Sequence, residues 1–240
     1  MDYKKLILGV LIVIVLYIIY RYVFQDNTSA DLASDTNAKR QKLIKAQSLP
    51  GNPASVDFTF SIWIYVDSWQ YKYGKNKTIF RRSNKNGELS PAVTLAAATN
   101  DLEITLVTFP SKTSTTGGTT DTWSIHNIPL QKWTNIIVAT NNRAVDTYID
   151  GKLVNTHVLQ GVPKMDKTAP IYLTPDESGG AGFSGNTAKF KYFARTISPR
   201  EAYQIYKEGP GGNMLTDLLN KYKLKVQFLK DDEEINGFEI

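Results

Sequence analysis

The chain has 240 residues, with 28 Lys and Arg against 23 Asp and Glu, a net charge of +5, and no cysteine. The missing cysteines exclude disulfides, thiolate nucleophiles and cysteine-ligated metal centres. Residues 1–24 carry +2, residues 25–50 carry +1 and the remaining 190 only +2, which is far from the concentrated positive face of a nucleic-acid binder.

Residues 1–5 read as a short N-terminal tail carrying Lys4 and Lys5. Behind it, Leu6 to Phe24 is apolar except for Arg21, and a transmembrane helix is predicted over 6–24. Nineteen residues make a helix of about 28 Å, close to a hydrocarbon core of about 30 Å. Lys4, Lys5, Tyr20, Arg21 and Tyr22 are the expected membrane-interface residues, and the basic pair favours an N-terminus on the cytoplasmic side. A cleaved signal peptide, cut near Thr28-Ser29-Ala30, is the competing reading. The length of the run and the bulky Tyr20, Tyr22 and Phe24 at its end favour a retained anchor. A lipid bilayer is therefore the first expected partner.

Residues 25–50 are polar and of mixed charge and read as a spacer, with a short basic helix over Asn37 to Leu49. From Val56 the pattern has period two. Phe58, Phe60, Ile62, Ile64 and Val66 point one way and Thr59, Ser61, Trp63 and Tyr65 the other, a strand with one buried face. Further strands are expected over 78–81, 93–97, 102–108, 133–140, 145–149, 152–159, 171–173 and 189–195. Asp150-Gly151 marks a hairpin turn, since both residues tolerate positive φ. Many short strands and almost no helix predict an all-β sandwich. One helix is marked near the C-terminus, where Ser198-Pro199-Arg200-Glu201 supplies a cap, a Pro at the first position and an early Glu; it should end before Gly209-Pro210. Met214 to Leu219 is a candidate for a further turn or two of helix. Tyr222, Leu224, Val226 and Phe228 alternate with Lys221, Lys223, Lys225 and Gln227, one strand whose lysine face guards an edge. The acidic run Asp231 to Glu234 reads as a solvated tail.

Taken together, FTFSIWIYV, WTNIIVA, DTYIDGKLV and GFSGNTAKFKYFARTISPREAYQIYKEG resemble the laminin-G-like branch of the concanavalin A-like lectin/glucanase superfamily. Trp133, Tyr148, Asp150-Gly151, Phe183, Gly185, Ile197 and Ser198 fall in that branch's order, over roughly 56–209. The resemblance implies a two-sheet antiparallel jelly roll over 51–210, followed by a C-terminal extension over 211–240. It leaves function open, because this fold hosts lectins, glycosidases, adhesion modules and structural proteins. The anchored, cysteine-free, Asn-, Lys-, Thr- and Tyr-rich architecture also resembles virion proteins of large double-stranded DNA viruses.

Catalytic signatures are missing. Superfamily glycosidases carry paired carboxylates, typically as E-x-D-x-E, and no E-x-D occurs in this chain. Gly180 to Gly185 spells G-x-G-x-x-G, but strand-like residues follow it where a dinucleotide site needs a helix. His126 and His157 stand alone, with no G-x-S-x-G elbow and no zinc-ligand spacing. Asp121, Asp146, Asp176 and Glu177 are conceivable calcium ligands but form no dense oxygen loop. No metal, cofactor or enzymatic activity is expected. Contact with a ligand or partner is expected from Trp69, Tyr71, Tyr73 and Trp123, on two loops rich in Lys, Thr and Ser. The leading functional expectation is a minor capsid or virion membrane protein linking a membrane to other structural proteins of a shell. The alternative is a membrane-anchored lectin or adhesion module that binds glycans at a cell surface or in the secretory pathway.

Overall fold

The structure, a computed structural model, describes residues 9, 11–19, 28–52, 54–110, 118–175, 182–211, 225–230 and 233–239. In chain order the strands begin with β1 (Ser29–Ala33), β2 (Thr36–Asn37), β3 (Lys42–Ile44), β4 (Phe58–Ser68) and β5 (Lys77–Ser83). They continue as β6 (Leu89–Leu95), β7 (Leu102–Thr108), β8 (Thr119–Ile125), β9 (Trp133–Asn141) and β10 (Ala144–Ile149). β11 (Lys152–Val158), β12 (Ile171–Leu173) and β13 (Ser184–Phe193) precede helix α1 (Pro199–Lys207). Two antiparallel sheets result. One has spatial order β1-β13-β4-β9-β10-β11, with β2 also on β13; the other runs β3-β12-β5-β6-β7-β8.

The sheets meet over the apolar face that alternation places on β4. Phe60 lies 5.1 Å from Phe80 of the opposite sheet and 5.0 Å from Tyr192, with Phe190 at 5.9 Å (ring centroids). Phe58, Ile62, Ile64 and Val66 share this core. Full burial of each such side chain stabilises by about 1.5–3 kcal/mol.

The other face of β4 is buried too, contrary to the one-sided strand expected. Helix α1 lies across it: Ile205 and Ala202 pack with Ile137, Ala139, Tyr148, Phe193 and Ile197 in a second small core. Trp63 is covered as well, its ring stacked 5.6 Å from Tyr206. Alternation reports which residues share a face, but not whether a later helix will cover the polar-looking one. The helix itself starts where its cap predicts, and the Ser198 hydroxyl accepts a hydrogen bond from the Glu201 N–H at 3.3 Å. Glu201 turns its carboxylate to Arg195 instead of closing a capping box.

The largest correction concerns the expected spacer. From Ser29 onward it belongs to the sandwich. β1 and β2 pair with β13, β3 pairs with β12, and Leu32, Ala33, Ala38, Ile44, Ala46 and Leu49 are buried. The basic helix expected over 37–49 is instead strand β3 and one 3-10 turn over Ala46–Ser48. Its few apolar residues are paid out singly to the edges of two sheets, which no amphipathic period records. Two more strands differ from expectation. β6 begins at Leu89 with Pro91 inside it, after a cis Ser90–Pro91 bond, and β8 was not foreseen.

At the C-terminus the single expected strand is a hairpin of β14 (Lys225–Lys230) and β15 (Glu233–Glu239), so Glu233 and Glu234 are strand residues and not tail. The helical turn considered over 214–219 lies outside the described residues. So do Lys4, Lys5, Tyr20, Arg21 and Tyr22. Residues 11–19 of the expected anchor are helical and exposed. Among the described residues no helix is long and apolar enough to cross a membrane.

The hairpin turn forms at the expected residues. Asp150 (φ 50°) and Gly151 (φ 73°) connect β10 to β11. A Cβ on Gly151 would stand 2.8 Å from the Tyr206 Cβ, so this glycine also lets α1 approach the hairpin. Gly185 sits in β13, where a Cβ would fall 1.8 Å from the Tyr65 carbonyl oxygen. No helix follows it, and the dinucleotide reading of that glycine run is excluded. Gly151→Ala is expected to cost about 2 kcal/mol, through left-handed strain plus displacement of α1, and a lowered urea midpoint of the full chain in detergent checks it.

Candidate functional site

Pairing fixes which loops share an end of the sandwich. Ser29 opposes Phe193, and Phe58 opposes Thr140, so the chain enters β1 beside the β13–α1 corner and the β9–β10 hairpin. The Trp69–Asn76 loop leaves the other end of β4, where the Gly74 N–H donates to the Ala97 carbonyl. The entry point and the aromatic loop therefore lie at opposite ends of β4, whose eleven residues span roughly 35 Å.

At the far end the four expected contact residues separate. Trp69 is partly buried against the core, and Lys77 Nζ sits over its ring at 4.2 Å. Lys77 is fully buried, with the Lys75 carbonyl 3.3 Å from Nζ, and desolvation pushes its pKa down. This pair plugs the end of the core. Tyr71 is half-buried, with Lys39 Nζ 5.0 Å and Lys72 Nζ 5.5 Å from its ring centroid. Tyr73 is 62% exposed. Lys75 and Asn76 are exposed beside it, and the Asn76 amide donates to Glu103. Tyr71 and Tyr73 among lysines 39, 72 and 75 thus form an aromatic, cationic tip suited to an acidic or ring-bearing partner. Lys39 joins this tip only because the supposed spacer folds in.

Trp123 is not part of it. It faces inward on β8, is only 8% exposed, and stacks on His157 at 4.3 Å with 7° between the ring planes. That contact closes the sandwich between β8 and β11, so His157 has a structural role. Inward Asp121, Trp123 and Ile125 alternate along TTDTWSI, but an inward Asp hid the strand; its carboxylate accepts the Gln160 N–H at 2.9 Å. His126 is exposed, 3.2 Å from Asp101, whose pKa is held low first by the Asn127 N–H and then by Thr99 and His126.

The conceivable calcium ligands do not converge. Asp121 is occupied as described, Asp146 accepts from the Thr156 hydroxyl at 2.6 Å, and Asp176 and Glu177 lie outside the described residues. Among the described residues no group of three His, Asp or Glu side chains is placed to hold a metal ion. Asp150, another loop carboxylate, serves its turn: it accepts from the Asn135 N–H and pairs with Lys132 at 3.1 Å.

A family sequence profile matches residues 39–202, most of the sandwich just described. The chain belongs to the concanavalin A-like lectin/glucanases superfamily, in its laminin-G-like branch. Two solved structures of similar fold are of botulinum neurotoxin serotype D. Its binding domain aligns at 15% identity and TM-score 0.54, covering 73% of this chain and 43% of that one. Its ligand binding domain in complex with N-acetylneuraminic acid aligns at 14% identity and TM-score 0.55, covering 75% and 43%. At such identity the likeness is one of fold, and this chain spans less than half the length of either. No curated protein matches the chain by sequence.

The buried Lys77 makes stability depend on pH. Its folded pKa lies below the unfolded value, so the unfolded chain binds more protons between the two, and stability rises as pH climbs through that window. Lys77→Met removes the titrating group. Its stability relative to the parent is expected to fall as pH rises toward 10.5, measured by urea unfolding of both proteins across the alkaline range.

Proposed function

We propose that this chain is a membrane-anchored, non-catalytic structural module whose Tyr71–Tyr73 tip engages a protein partner. Its setting in this reading is a virion, where it acts as a minor capsid or virion membrane protein linking an inner membrane to a protein shell. The observation that carries the reading is the placement of chain entry and aromatic tip at opposite ends of β4. An apolar run ahead of β1 then holds one end of a rigid sandwich at a bilayer and directs the other away from it. Lysines 39, 72 and 75 dominate the charge around Tyr71 and Tyr73, and the neighbouring Glu103 is engaged by the Asn76 amide.

A second reading is favoured by one observation. Exposed tyrosine among lysines also suits an anionic sugar, and a domain of similar fold was solved with N-acetylneuraminic acid. In that reading the chain is a membrane-anchored lectin at a cell surface.

A photo-crosslinking residue in place of Tyr73, in the full chain, separates the two. Recovery of the chain in purified particles, crosslinked at position 73 to a shell protein, is the expected outcome; absence from particles ends the virion reading. The lectin reading predicts that the full chain in nanodiscs binds sialylated glycans and that Tyr73→Ala weakens binding by about tenfold, about 1.4 kcal/mol.

A further inference from the structure

β1 begins at Ser29, five residues after Phe24, the last residue of the apolar run. Five residues reach at most about 18 Å, and the headgroup layer on each side of a bilayer is itself about 5–7 Å deep. If the run is the anchor, the entry end is held against the lipid surface and not lifted on a long spacer.

The surface presented there has the composition that such a position favours. The segment after β11 crosses from one sheet to the other over this end. The Leu159 N–H donates to the Arg143 carbonyl on one side, and the Phe109 N–H to the Val162 carbonyl on the other. Phe109 is 50%, Val158 66% and Val162 37% exposed, large apolar side chains left in water on one end of the sandwich. Lys45, Lys85 and Lys167 are exposed on the same end of the sandwich.

The acids nearby are engaged internally. Glu88 is paired with Lys164 and bonded to Asn84, Asp166 accepts two hydrogen bonds from Thr168, and Asp57 accepts the Asn142 N–H. The Lys164 and Asn84 hydrogen bonds hold Glu88 below the usual carboxylate range, so it stays ionised and satisfied. Among the described residues Lys45 and Lys85 form no ion pair, so their charge faces outward.

The platform is firm. Buried Arg82 donates from Nη2 to the Asp166 carbonyl at 2.7 Å and from Nε to the Ala169 carbonyl at 3.2 Å, fixing the crossing segment to β5.

We propose that the entry end of the sandwich is a second membrane contact, in which Phe109, Val158 and Val162 enter the headgroup layer and Lys45, Lys85 and Lys167 bind anionic lipid. The contact rests on the anchoring reading of the preceding subsection. Exposed apolar side chains with lysines on the same end are the composition of interfacial membrane binding, and lysines near an anionic surface are drawn to it. The contact would remove the freedom of the sandwich to tumble about its anchor, and so aim the Tyr73 tip along the membrane normal.

The chain has no cysteine, so single introduced cysteines label cleanly. Spin labels at Phe109→Cys, Val162→Cys, Tyr73→Cys and Ile14→Cys would be read by oxygen and nickel accessibility, in the full chain reconstituted into phosphatidylcholine bilayers with and without phosphatidylserine. With phosphatidylserine, labels at 109 and 162 are expected to be oxygen-dominated, like the label at 14, while the label at 73 is nickel-dominated. Loss of that signal at 109 and 162 without phosphatidylserine, or in Lys85→Gln/Lys167→Gln, supports the anionic contact; a signal indifferent to both overturns it. Nickel dominance at 109 and 162 beside oxygen dominance at 14 overturns the second contact and leaves the anchor standing. Nickel dominance at 14 overturns the anchor itself.

Discussion

Burial of strand β4 on both faces is the constraint on which the rest of the structure depends. One face meets Phe80 of the opposite sheet through Phe60; the other lies under α1, where Trp63 stacks on Tyr206. A strand covered twice cannot slip, because a one-residue shift would exchange the two sets of side chains between two different cores. Its neighbours β13 and β9 inherit that register, and with it the assignment of every loop to one end or the other.

The two ends are closed by different side chains, and the rigid strand between them keeps them apart. At the far end the Lys77–Trp69 contact seals the core, at the cost of burying an ammonium group whose partners among the described residues are a carbonyl and a ring. Such a group is costly to desolvate, and the sealed loop in turn holds Tyr71 and Tyr73 outside. At the entry end Arg82 plays the matching role, held by two carbonyls of the crossing segment while burial disfavours its charge. Each buried cation stitches a loop to a sheet and leaves other side chains of its end facing outward. The aromatic tip and the chain's entry into the sandwich are thereby held apart along one axis.

Much of this was legible in the sequence. Period-two alternation identified β4, strand-like runs identified β7, β9 and β10, Asp150-Gly151 identified its hairpin, and Ser198-Pro199 identified the start of α1. The ordered motifs from FTFSIWIYV to TISPREAY carried the family. What failed had physical causes. In β8 an inward Asp121 satisfied by a backbone N–H broke the apolar alternation, so Trp123 read as an exposed loop aromatic when it is a core residue stacked on His157. In residues 29–49 the buried side chains are few and spread over two sheet edges, so local composition resembled a solvated linker. Of the contact residues expected, Tyr71 and Tyr73 are presented outward; Lys39, the neighbour of Tyr71, had no local signal at all.

The sequence by itself determined the strand-forming segments, the turn, the helix cap, the apolar N-terminal run and the want of paired catalytic carboxylates. These follow from neighbours within a few residues, where backbone preference and side-chain alternation act. Tertiary structure alone decided which aromatic rings face water, which lysine caps the core, and where the domain begins. Those outcomes depend on pairing between residues more than a hundred positions apart, such as Ser29 with Phe193. Pairing at that range is set by which faces can be buried together, and no short window of sequence contains that information.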